Sequence, residues 1–381
     1  MGRLVAVVVV LAGCGRVGFD DEPDGPPAEC MVTLEPGAAR MNVNSERALV
    51  VAGGLEPYTF SATGPAAIEP STGVLTTTGA TGTVMVAVAD DAGCTADASL
   101  TVGGSTLFYA GGTSNSVPSD QVWRSTDGIT WTLAGSLPDK RSAGALLVMN
   151  DKLWWLSGTD GVSPQLDVWS SRNGVTWRVE GNVQQASVNF GAVVFDGRMW
   201  MIGGNANPEH DNVYASSDGA SWTLTGNLPD ANHGGSATVL GDRMFYIGGH
   251  NSGNGMLYRW VVTSNDGASW TSIGNMPTGR EYAAALTLDD QIVFAGGQDL
   301  SGMKTTNVLS TVDGMTFAMQ APLPSARSFT AIAMFEGRLI SAGGTDGGAV
   351  AQAIPGNAWT MPTTNFPIPR QSGKLAAFEP N

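Results

Sequence analysis

The stretch GAVVFDGRMWMIGG (Gly191–Gly204), followed by YASSDGASW (Tyr214–Trp222), is the pattern on which the fold of this chain depends. Its first half reads as a strand, a tight turn and a second strand that ends in Gly-Gly. Its second half places Asp218–Gly219 between two short strands, as in a two-residue hairpin turn in which both residues tolerate positive φ. The unit therefore predicts four antiparallel strands.

The same pattern recurs along the last two thirds of the chain. A pair of small residues closes each copy, and successive pairs are 46, 46, 45, 48 and 47 residues apart. The pairs end at Gly112, Gly158 (where Ser157 leads), Gly204, Gly249, Gly297 and Gly344. Four strands per repeat at such a period are typical of β-propeller blades, each of which buries its apolar face only against its neighbours. The sequence predicts an all-β protein with a six-bladed propeller over residues 104–381.

The two ends of the repeat region predict how the ring closes. The first repeat begins near Ser105 and lacks an opening strand, whereas Gly373–Phe378 looks like that missing strand. Pairing the two would remove open sheet edges, which otherwise promote aggregation. Opening strands are rich in Ala and Gly, so we expect them to be innermost, where the blades converge.

The repeats resemble the kelch family, whose propeller also forms the central domain of galactose oxidase. The resemblance depends on the Gly-Gly pair, the downstream aromatic pair and a Leu-Pro-x-x-Arg lead-in. That lead-in, or a close variant of it, stands at Leu137–Arg141, Met276–Arg280, Leu323–Arg327 and Phe366–Arg370. Because these arginines recur with the repeat, we expect them to brace blade junctions. The resemblance implies a fold but not a ligand, since kelch propellers serve unrelated functions.

The front of the chain has the features of an exported protein. Residues 1–13 combine one basic residue, Arg3, with a short apolar stretch, which predicts a signal peptide. Leu11–Cys14 resembles a bacterial lipobox, which implies that Cys14 is lipidated and anchors the protein to a bacterial membrane, at the outer membrane or cell surface. Residues 14–29 are acidic and contain Pro and Gly, as in a flexible linker.

Residues 30–103 predict a second, smaller domain. Short strands separated by turn residues favour a β-sandwich, and the segment resembles bacterial Ig-like domains. With Cys14 lipidated, Cys30 and Cys94 remain, and outside the cytosol they are expected to form a disulfide. Two free thiols are the alternative.

The charge balance narrows the range of partners. Lys and Arg total 19 against 34 Asp and Glu, which gives a formal net charge of −15. Such an acidic chain argues against nucleic acid and against electrostatic docking on anionic lipid. We therefore expect a monomer whose only membrane contact is the lipid anchor.

Candidate ligand-binding residues gather on one predicted face of the propeller. Tight turns lie on one face, while the longer loops after each Gly-Gly lie on the other, where binding residues collect on a rigid scaffold. Five polar residues stand within two positions of a Gly pair, and Arg280 enters on the same face. The candidate site is Asp160, Asn205, His250, Asp299, Asp346 and Arg280.

Catalytic and metal-binding patterns are weak in the sequence. His210, His233 and His250 fall on the long-loop face, and Glu209 and Asp211 flank the first; a His cluster with carboxylates could hold a transition metal. Because the three histidines lack tight spacing, we favour incidental loop residues and predict no metal site and no cofactor. Galactose-oxidase chemistry needs a Cys crosslinked to a Tyr, and no Cys follows Cys94. Sialidases supply another comparison, but only Glu281–Tyr282, beside Arg280, resembles their acid and tyrosine pair. No catalytic residue is predicted.

Three functions remain open. The favoured one is non-catalytic recognition of a polysaccharide or protein through the long-loop face. The alternatives are a glycan-active enzyme, of sialidase or glycosidase type, on the propeller scaffold and a structural component of the cell envelope.

Overall fold

The structure is a computed structural model that describes residues 32–35, 39–42, 46–78, 82–288, 290–345, 350–361 and 370–378. The chain forms two compact units that divide between Ser105 and Thr106. All regular structure in the described ranges is β, and none of it is a helix that could cross a bilayer. The signal peptide, the linker, Cys14 and Cys30 lie outside the described residues.

The first unit contains nine short strands. They are β1 (Thr33–Glu35), β2 (Ala39–Asn42), β3 (Glu46–Ala48), β4 (Val50–Ala52), β5 (Thr59–Thr63), β6 (Ala66–Ile68), β7 (Val74–Thr77), β8 (Gly82–Ala89) and β9 (Thr95–Gly103). They form three sheets, in the orders β1-β4, β2-β9-β8-β5 and β3-β7-β6, and all pairs are antiparallel except β2 with β9.

One apolar core holds the first unit together. Alternate residues of β8, namely Val84, Val86 and Val88, are fully buried, as the two-residue period of a strand requires. Leu75 and Leu100 pack into the same cluster. Cys94 borders this core and is disulfide-bonded. Since Cys30 lies outside the described residues, its pairing with Cys94 stays a prediction, as does the Ig-like assignment.

The second unit contains the remaining strands of the described residues, which, apart from one two-stranded hairpin, group into six sheets that we call blades 1 to 6. Blade 1 is β10 (Thr106–Ala110), β11 (Thr113–Ser114), β12 (Val117–Ser125), β13 (Thr132–Arg141) and β35 (Lys374–Phe378). Blade 2 is β14 (Ala145–Met149), β15 (Lys152–Leu156), β16 (Asp167–Ser171) and β17 (Arg178–Asn182). Blade 3 is β18 (Gly191–Phe195), β19 (Arg198–Asn205), β20 (Glu209–Ser216) and β21 (Thr223–Asn227).

The last three blades follow the same order. Blade 4 is β22 (Ser236–Leu240), β23 (Arg243–Ile247), β26 (Trp260–Ser264) and β27 (Thr271–Asn275), with a small hairpin of β24 (His250–Asn251) and β25 (Met256–Leu257). Blade 5 is β28 (Ala284–Leu288), β29 (Gln291–Ala295), β30 (Val308–Thr311) and β31 (Ala318–Gln320). Blade 6 is β32 (Ala331–Phe335), β33 (Arg338–Ala342) and β34 (Ala351–Ala353), and a single bridge from Gln352 to Thr360 stands where the other blades have a fourth strand.

The predicted closure of the ring is confirmed. Strand β35 pairs antiparallel with β10, with Leu107 opposite Ala377 and Tyr109 opposite Leu375. The innermost strands also follow one another in a closed circle, because β14, β18, β22, β28, β32 and β35 each contact the next and β35 contacts β14. Their small residues line a central channel with a cavity of about 150 Å³.

A ring of backbone hydrogen bonds fixes this circle at one end of the channel. Six residues, one before each innermost strand, all adopt left-handed φ values between 53° and 69°. Each donates its N–H to the carbonyl oxygen of the equivalent residue in the preceding blade, at 2.7 to 3.1 Å. The ring runs through Ala143, Ser372, Phe329, Tyr282, Gly234 and Asn189, back to Ala143.

The Gly-Gly pairs tie each blade to the next. Both members of every pair have positive φ, from 49° at Ser157 to 116° at Gly204. The second member donates its N–H to the carbonyl of the residue that leads into the next blade, at 2.7 to 3.0 Å, as Gly249 does to Arg280. A Cβ on the first glycine would collide with that same carbonyl, at 2.6 Å for Gly248. The close approach and the backbone conformation together require small residues there.

The Asp-Gly loops differ from the prediction. In the loop after β20, only Gly219 has positive φ, and the Asp218 carboxylate accepts the N–H groups of Ala220 and Ser221 at 2.9 and 2.8 Å. The turn is thus built around a side-chain acceptor and is not a two-residue hairpin with both residues left-handed. Each loop glycine also packs on the preceding blade, and a Cβ on Gly219 would stand 2.2 Å from Trp154.

Candidate functional site

The long-loop face carries a ring of paired residues around the mouth of the channel. In each blade, the residue after the Gly pair donates its backbone N–H to the carbonyl oxygen of the residue that precedes the left-handed ring position. The pairs are Thr113 with Gln371, Thr159 with Ser142, Asn205 with Val188, His250 with His233, Gln298 with Glu281 and Thr345 with Ser328. The first member of every pair is polar and half-buried.

Two of the predicted ligand-binding residues brace their own loops. Asp160 accepts the backbone N–H groups of Val162 and Ser163 at 2.8 and 2.9 Å. Asp299 accepts from Ser301 and from the N–H of Met303 at 3.0 Å. These hydrogen bonds favour the ionised form and lower the pKa of both carboxyls. The two carboxylates therefore help to fix the shape of their loops.

Arg280 is a brace, in line with the interpretation of the repeated arginines. It is 3% exposed, and its guanidinium donates to Gly296 O and Thr278 Oγ1, both at 3.1 Å. Arg141 spans a similar junction, since it pairs with Asp167 at 2.5 Å and lies over the ring of Trp169. Burial leaves neither guanidinium available on the surface.

Asn205 belongs to the ring of pairs, and its side-chain oxygen accepts the N–H of Asn207 at 2.8 Å. Asp346 lies outside the described residues. His250 is the member of the predicted set that meets other ionisable side chains.

His250 is part of a cluster that joins blades 4 and 5. Nδ1 of His250 lies 3.6 Å from Oε2 of Glu281, and Nε2 of His233 lies 3.9 Å from the same oxygen. One donor atom from each of the three residues falls within 4.8 Å of the other two. The two imidazole rings are tilted, with centroids 5.3 Å apart. His233 and Glu281 are 5% and 6% exposed, so the cluster is largely shielded from water.

Glu209 reaches this cluster from blade 3. Its Oε1 lies 2.9 Å from Nδ1 of His233, at hydrogen-bonding distance, and its side chain is 7% exposed. The N–H and Oγ of Ser252 donate to the same carboxylate at 2.8 and 2.5 Å, which fixes its position. A carboxylate facing Nδ1 of His233 favours the tautomer with its proton on Nδ1, in which Nε2 is an acceptor.

Tyr282 supplies the partner of that acceptor. Its hydroxyl lies 2.9 Å from Nε2 of His233, and its ring stacks on Phe329 at 3.8 Å. Burial raises the pKa of the Tyr282 hydroxyl and of the Glu281 carboxyl, and it lowers the pKa of His233. The environment therefore favours a neutral imidazole and a phenol that keeps its proton.

The structure brings two of the three loop histidines together. His233 and His250 meet because the bridge within blade 4 places them side by side, while His210 lies apart and contacts Ser187 at 3.1 Å. Sequence reasoning placed Glu209 and Glu281 near candidates but did not join them. A comparison of the repeats could have revealed the cluster. At the position that precedes the left-handed ring residue, only blades 4 and 5 have an ionisable side chain, namely His233 and Glu281.

The comparisons with known proteins concern the fold. A solved structure of YjhT, a kelch-repeat protein, matches 66% of this chain and 96% of its own length, with a TM-score of 0.54 and 15% sequence identity. The chain has a kelch-like β-propeller fold. No protein-family model matches the sequence, and no curated protein matches it significantly. At this identity, the likeness concerns the propeller's architecture alone.

The propeller's channel opens beside the cluster. Tyr282 and Phe329 belong to the hydrogen-bonded ring and line a cavity of about 40 Å³ at the mouth, together with Lys374. Burial lowers the pKa of Lys374 to about 8. A ligand at this mouth would therefore meet the polar ring, the two aromatic side chains and a basic residue further inside.

Proposed function

We propose that this protein recognises a polysaccharide or another protein through the long-loop face of a six-bladed kelch-type propeller, without catalysis. In this proposal it is an extracytoplasmic lipoprotein, anchored to a bacterial membrane through Cys14. An Ig-like domain with a disulfide between Cys30 and Cys94 acts as a spacer between the membrane and the propeller.

The observation that carries this proposal is the uniform polarity of the ring at the mouth. All six residues that follow the Gly pairs are polar and half-buried, namely Thr113, Thr159, Asn205, His250, Gln298 and Thr345. Packing alone would accept apolar side chains at several of these positions, as it does at Val188 across from Asn205. Hydroxyl and amide groups converging on one mouth suit sugar hydroxyls or peptide groups.

The scaffold below the ring supports a binding role. The closed circle of hydrogen bonds through Ala143, Asn189 and Tyr282 holds all blades in register. A surface that is already ordered loses little conformational freedom on binding, so more of the contact energy appears as affinity.

The anchoring part depends on residues 11–14. Leu11–Cys14 has the lipobox pattern, and the lipid on Cys14 would be the membrane contact. The Cys14→Ser variant should leave the membrane fraction. Unchanged membrane association of this variant would contradict the anchor.

The binding proposal is tested with the Cys14→Ser chain on arrays of bacterial and host polysaccharides and on immobilised envelope proteins. Bulky substitutions on the ring, Thr113→Trp and Asn205→Trp, should each abolish the strongest signal. The matched control is Asp242→Trp, whose side chain is 90% exposed in the tight turn between β22 and β23, on the opposite face.

Two results would contradict this assignment. Equal loss of signal in the control and ring variants would place the ligand elsewhere, and retained signal in both ring variants would do the same. Turnover of a bound glycan by the unsubstituted chain would replace the binding role with an enzymatic one.

A further inference from the structure

The cluster of His233, His250 and Glu281 has the composition of a transition-metal site. Two imidazole nitrogens and one carboxylate oxygen form a ligand set that is found in catalytic Zn²⁺ centres. We propose that these three side chains bind one Zn²⁺-class divalent ion at the mouth of the propeller.

The donor atoms converge from backbone that is already fixed. His233 and His250 exchange N–H···O bonds with each other at 3.0 and 2.8 Å, and Glu281 does the same with Gln298 at 3.0 Å. The distances from Oε2 of Glu281 to Nδ1 of His250 and Nε2 of His233, 3.6 and 3.9 Å, are near the roughly 3.3–3.5 Å implied by tetrahedral Zn–ligand bonds of about 2.0–2.1 Å. His250, with a side chain 17% exposed, is the least buried member and the one with room to adjust.

Glu281 points a buried oxygen at both histidines. Its Oε1 accepts from Nε2 of Gln298 at 3.2 Å, which orients the carboxylate. Its Oε2 makes no hydrogen bond of normal geometry within the described residues, although the residue is only 6% exposed and the Tyr282 hydroxyl interacts with the carboxylate. A buried carboxylate oxygen without such a bond is unfavourable unless a cation or proton compensates it. A metal ion between Oε2 and the two imidazoles would do so.

Glu209 completes the pattern expected around a metal-bound histidine. Such a histidine usually donates its second ring N–H to a carboxylate, which fixes its tautomer and increases its basicity. Glu209 lies 2.9 Å from Nδ1 of His233 and is itself held by Ser252. With Nδ1 facing Glu209, Nε2 is the nitrogen of His233 that could bind the ion in place of the Tyr282 hydroxyl.

The repeat argues that this cluster is not required by the scaffold. At the same bridge positions blade 2 has Ser142 and Thr159, and blade 6 has Ser328 and Thr345. Those pairs hold the same backbone geometry without ionisable groups. Because the scaffold does not require ionisable residues there, the two imidazoles and the carboxylate in adjoining blades indicate a chemical role.

The donor set also selects among ions. Ca²⁺ and Mg²⁺ prefer six or more oxygen ligands, whereas imidazole suits Zn²⁺, Co²⁺, Ni²⁺ and Cu²⁺. Three protein ligands leave at least one coordination position for water or for an outside group. The ion would thus stand where a ligand of the long-loop face could coordinate it.

Calorimetric titration of the full chain, purified without a histidine tag, tests the site with ZnCl₂ as the probe. We expect one Zn²⁺ per chain, with a Kd on the order of micromolar or tighter. His250→Ala and Glu281→Gln should each remove detectable binding, and Glu209→Gln should weaken it about 10- to 100-fold. Asp242→Ala, in the exposed tight turn between β22 and β23, should bind Zn²⁺ as the unsubstituted chain does.

The visible absorption spectrum of bound Co²⁺ provides a second readout, which reports the identity of the ligand atoms. A visible spectrum of nitrogen and oxygen ligation should appear in the unsubstituted chain and vanish in His250→Ala. A sulfur-to-cobalt charge-transfer band would instead assign the metal to cysteine and overturn the proposal. The absence of Zn²⁺ binding at about 100 μM, or unchanged binding in folded His250→Ala and Glu281→Gln, would overturn it as well. None of these outcomes bears on whether the polar ring binds a polymer.

Discussion

The backbone amide of Ala143 donates to the carbonyl oxygen of Ser372 at 3.0 Å, although the two residues stand near opposite ends of the propeller sequence. This bond joins blade 2 to blade 1 across the point where the chain closes. Among the innermost strands, β14 and β32 both contact β35, so the circle would be open without β35. Closure therefore depends on the last strand of the chain.

Deleting residues from Gly373 onwards should prevent the propeller from folding cooperatively. Strand β35 buries Leu375 and Phe378, together worth about 3 to 6 kcal/mol of apolar burial, and its loss exposes the edge of β10. We expect aggregation in gel filtration and a broadened thermal transition by circular dichroism. Deleting only the residues after Phe378 is the control and should leave the transition unchanged. A truncated chain without β35 that unfolds as sharply as the control would contradict the role of closure.

Gly267→Ala should destabilise the propeller far more than Gly197→Ala, although both glycines have similar φ, 72° and 68°. A Cβ at Gly267 would stand 1.9 Å from Trp200 of the preceding blade, whereas none of the described atoms lies within 4 Å of a Cβ at Gly197. Both variants incur about 1 kcal/mol of backbone strain, and Gly267→Ala adds roughly 1 to 3 kcal/mol of overpacking. Urea unfolding measures the difference, and equal losses would show that the blades do not pack as described.

Four loop aspartates should make the propeller sensitive to acid. Asp127, Asp218, Asp266 and Asp313 accept backbone N–H groups, and these bonds lower their pKa values. For Asp127, desolvation opposes this lowering but does not outweigh it. Because the folded pKa values lie below the unfolded value of about 3.9, the stabilisation is complete above that pH and is lost as pH falls through the folded values.

The chain contains its own control for this effect. Asn173 occupies the same position in blade 2, and its side-chain oxygen accepts the N–H groups of Val175 and Thr176 at 2.9 Å without titrating. Replacing all four aspartates by Asn should therefore keep the fold at pH 7 and flatten the decline of the melting temperature below about pH 4. A decline as steep as in the unsubstituted chain would assign acid sensitivity to other groups.

Lys374→Met should stabilise the protein at neutral pH. Burial in the channel lowers the pKa of Lys374 to about 8, so the folded state bears a desolvation penalty while the amine is charged. Below pH 8 both states are protonated and the penalty is complete; between about pH 8 and 10.5 the unfolded state binds more protons, so stability rises with pH. The substitution should gain at most about 3 kcal/mol at pH 7 and remove that rise.

Urea titrations at pH 7 and pH 9.5 compare the two chains. Lys304→Met, at an exposed position, should shift stability by less than about 0.5 kcal/mol at either pH. Destabilisation by Lys374→Met at pH 7 would mean that the ammonium has a favourable partner.

The repeat accounts for how much of the fold the sequence predicts. Both residues of a Gly pair must adopt positive φ and one must approach a carbonyl of the next blade, so the pair recurs wherever a blade ends. The Asp-Gly loop was predicted as a loop but with the wrong geometry. Whether Asp218 uses its backbone or its carboxylate to form the turn depends on where the flanking strands place Ala220 and Ser221.

The sequence predicts less about the candidate site than about the fold. Proximity to a Gly pair identified the ring of polar residues, and it also selected Asp160 and Asp299, which accept hydrogen bonds from their own loops. Loop bracing and ligand binding use the same residue types, so composition cannot separate them.

By itself the sequence determined the all-β architecture, the number of repeats and the pairing of the tail with the first blade, because these follow from local backbone requirements repeated at a fixed period. Only the tertiary structure decided that Glu209, His233, His250 and Glu281 share one site. They come from three blades, and side chains distant in sequence meet only after the ring of blades has closed and set the angle between neighbours.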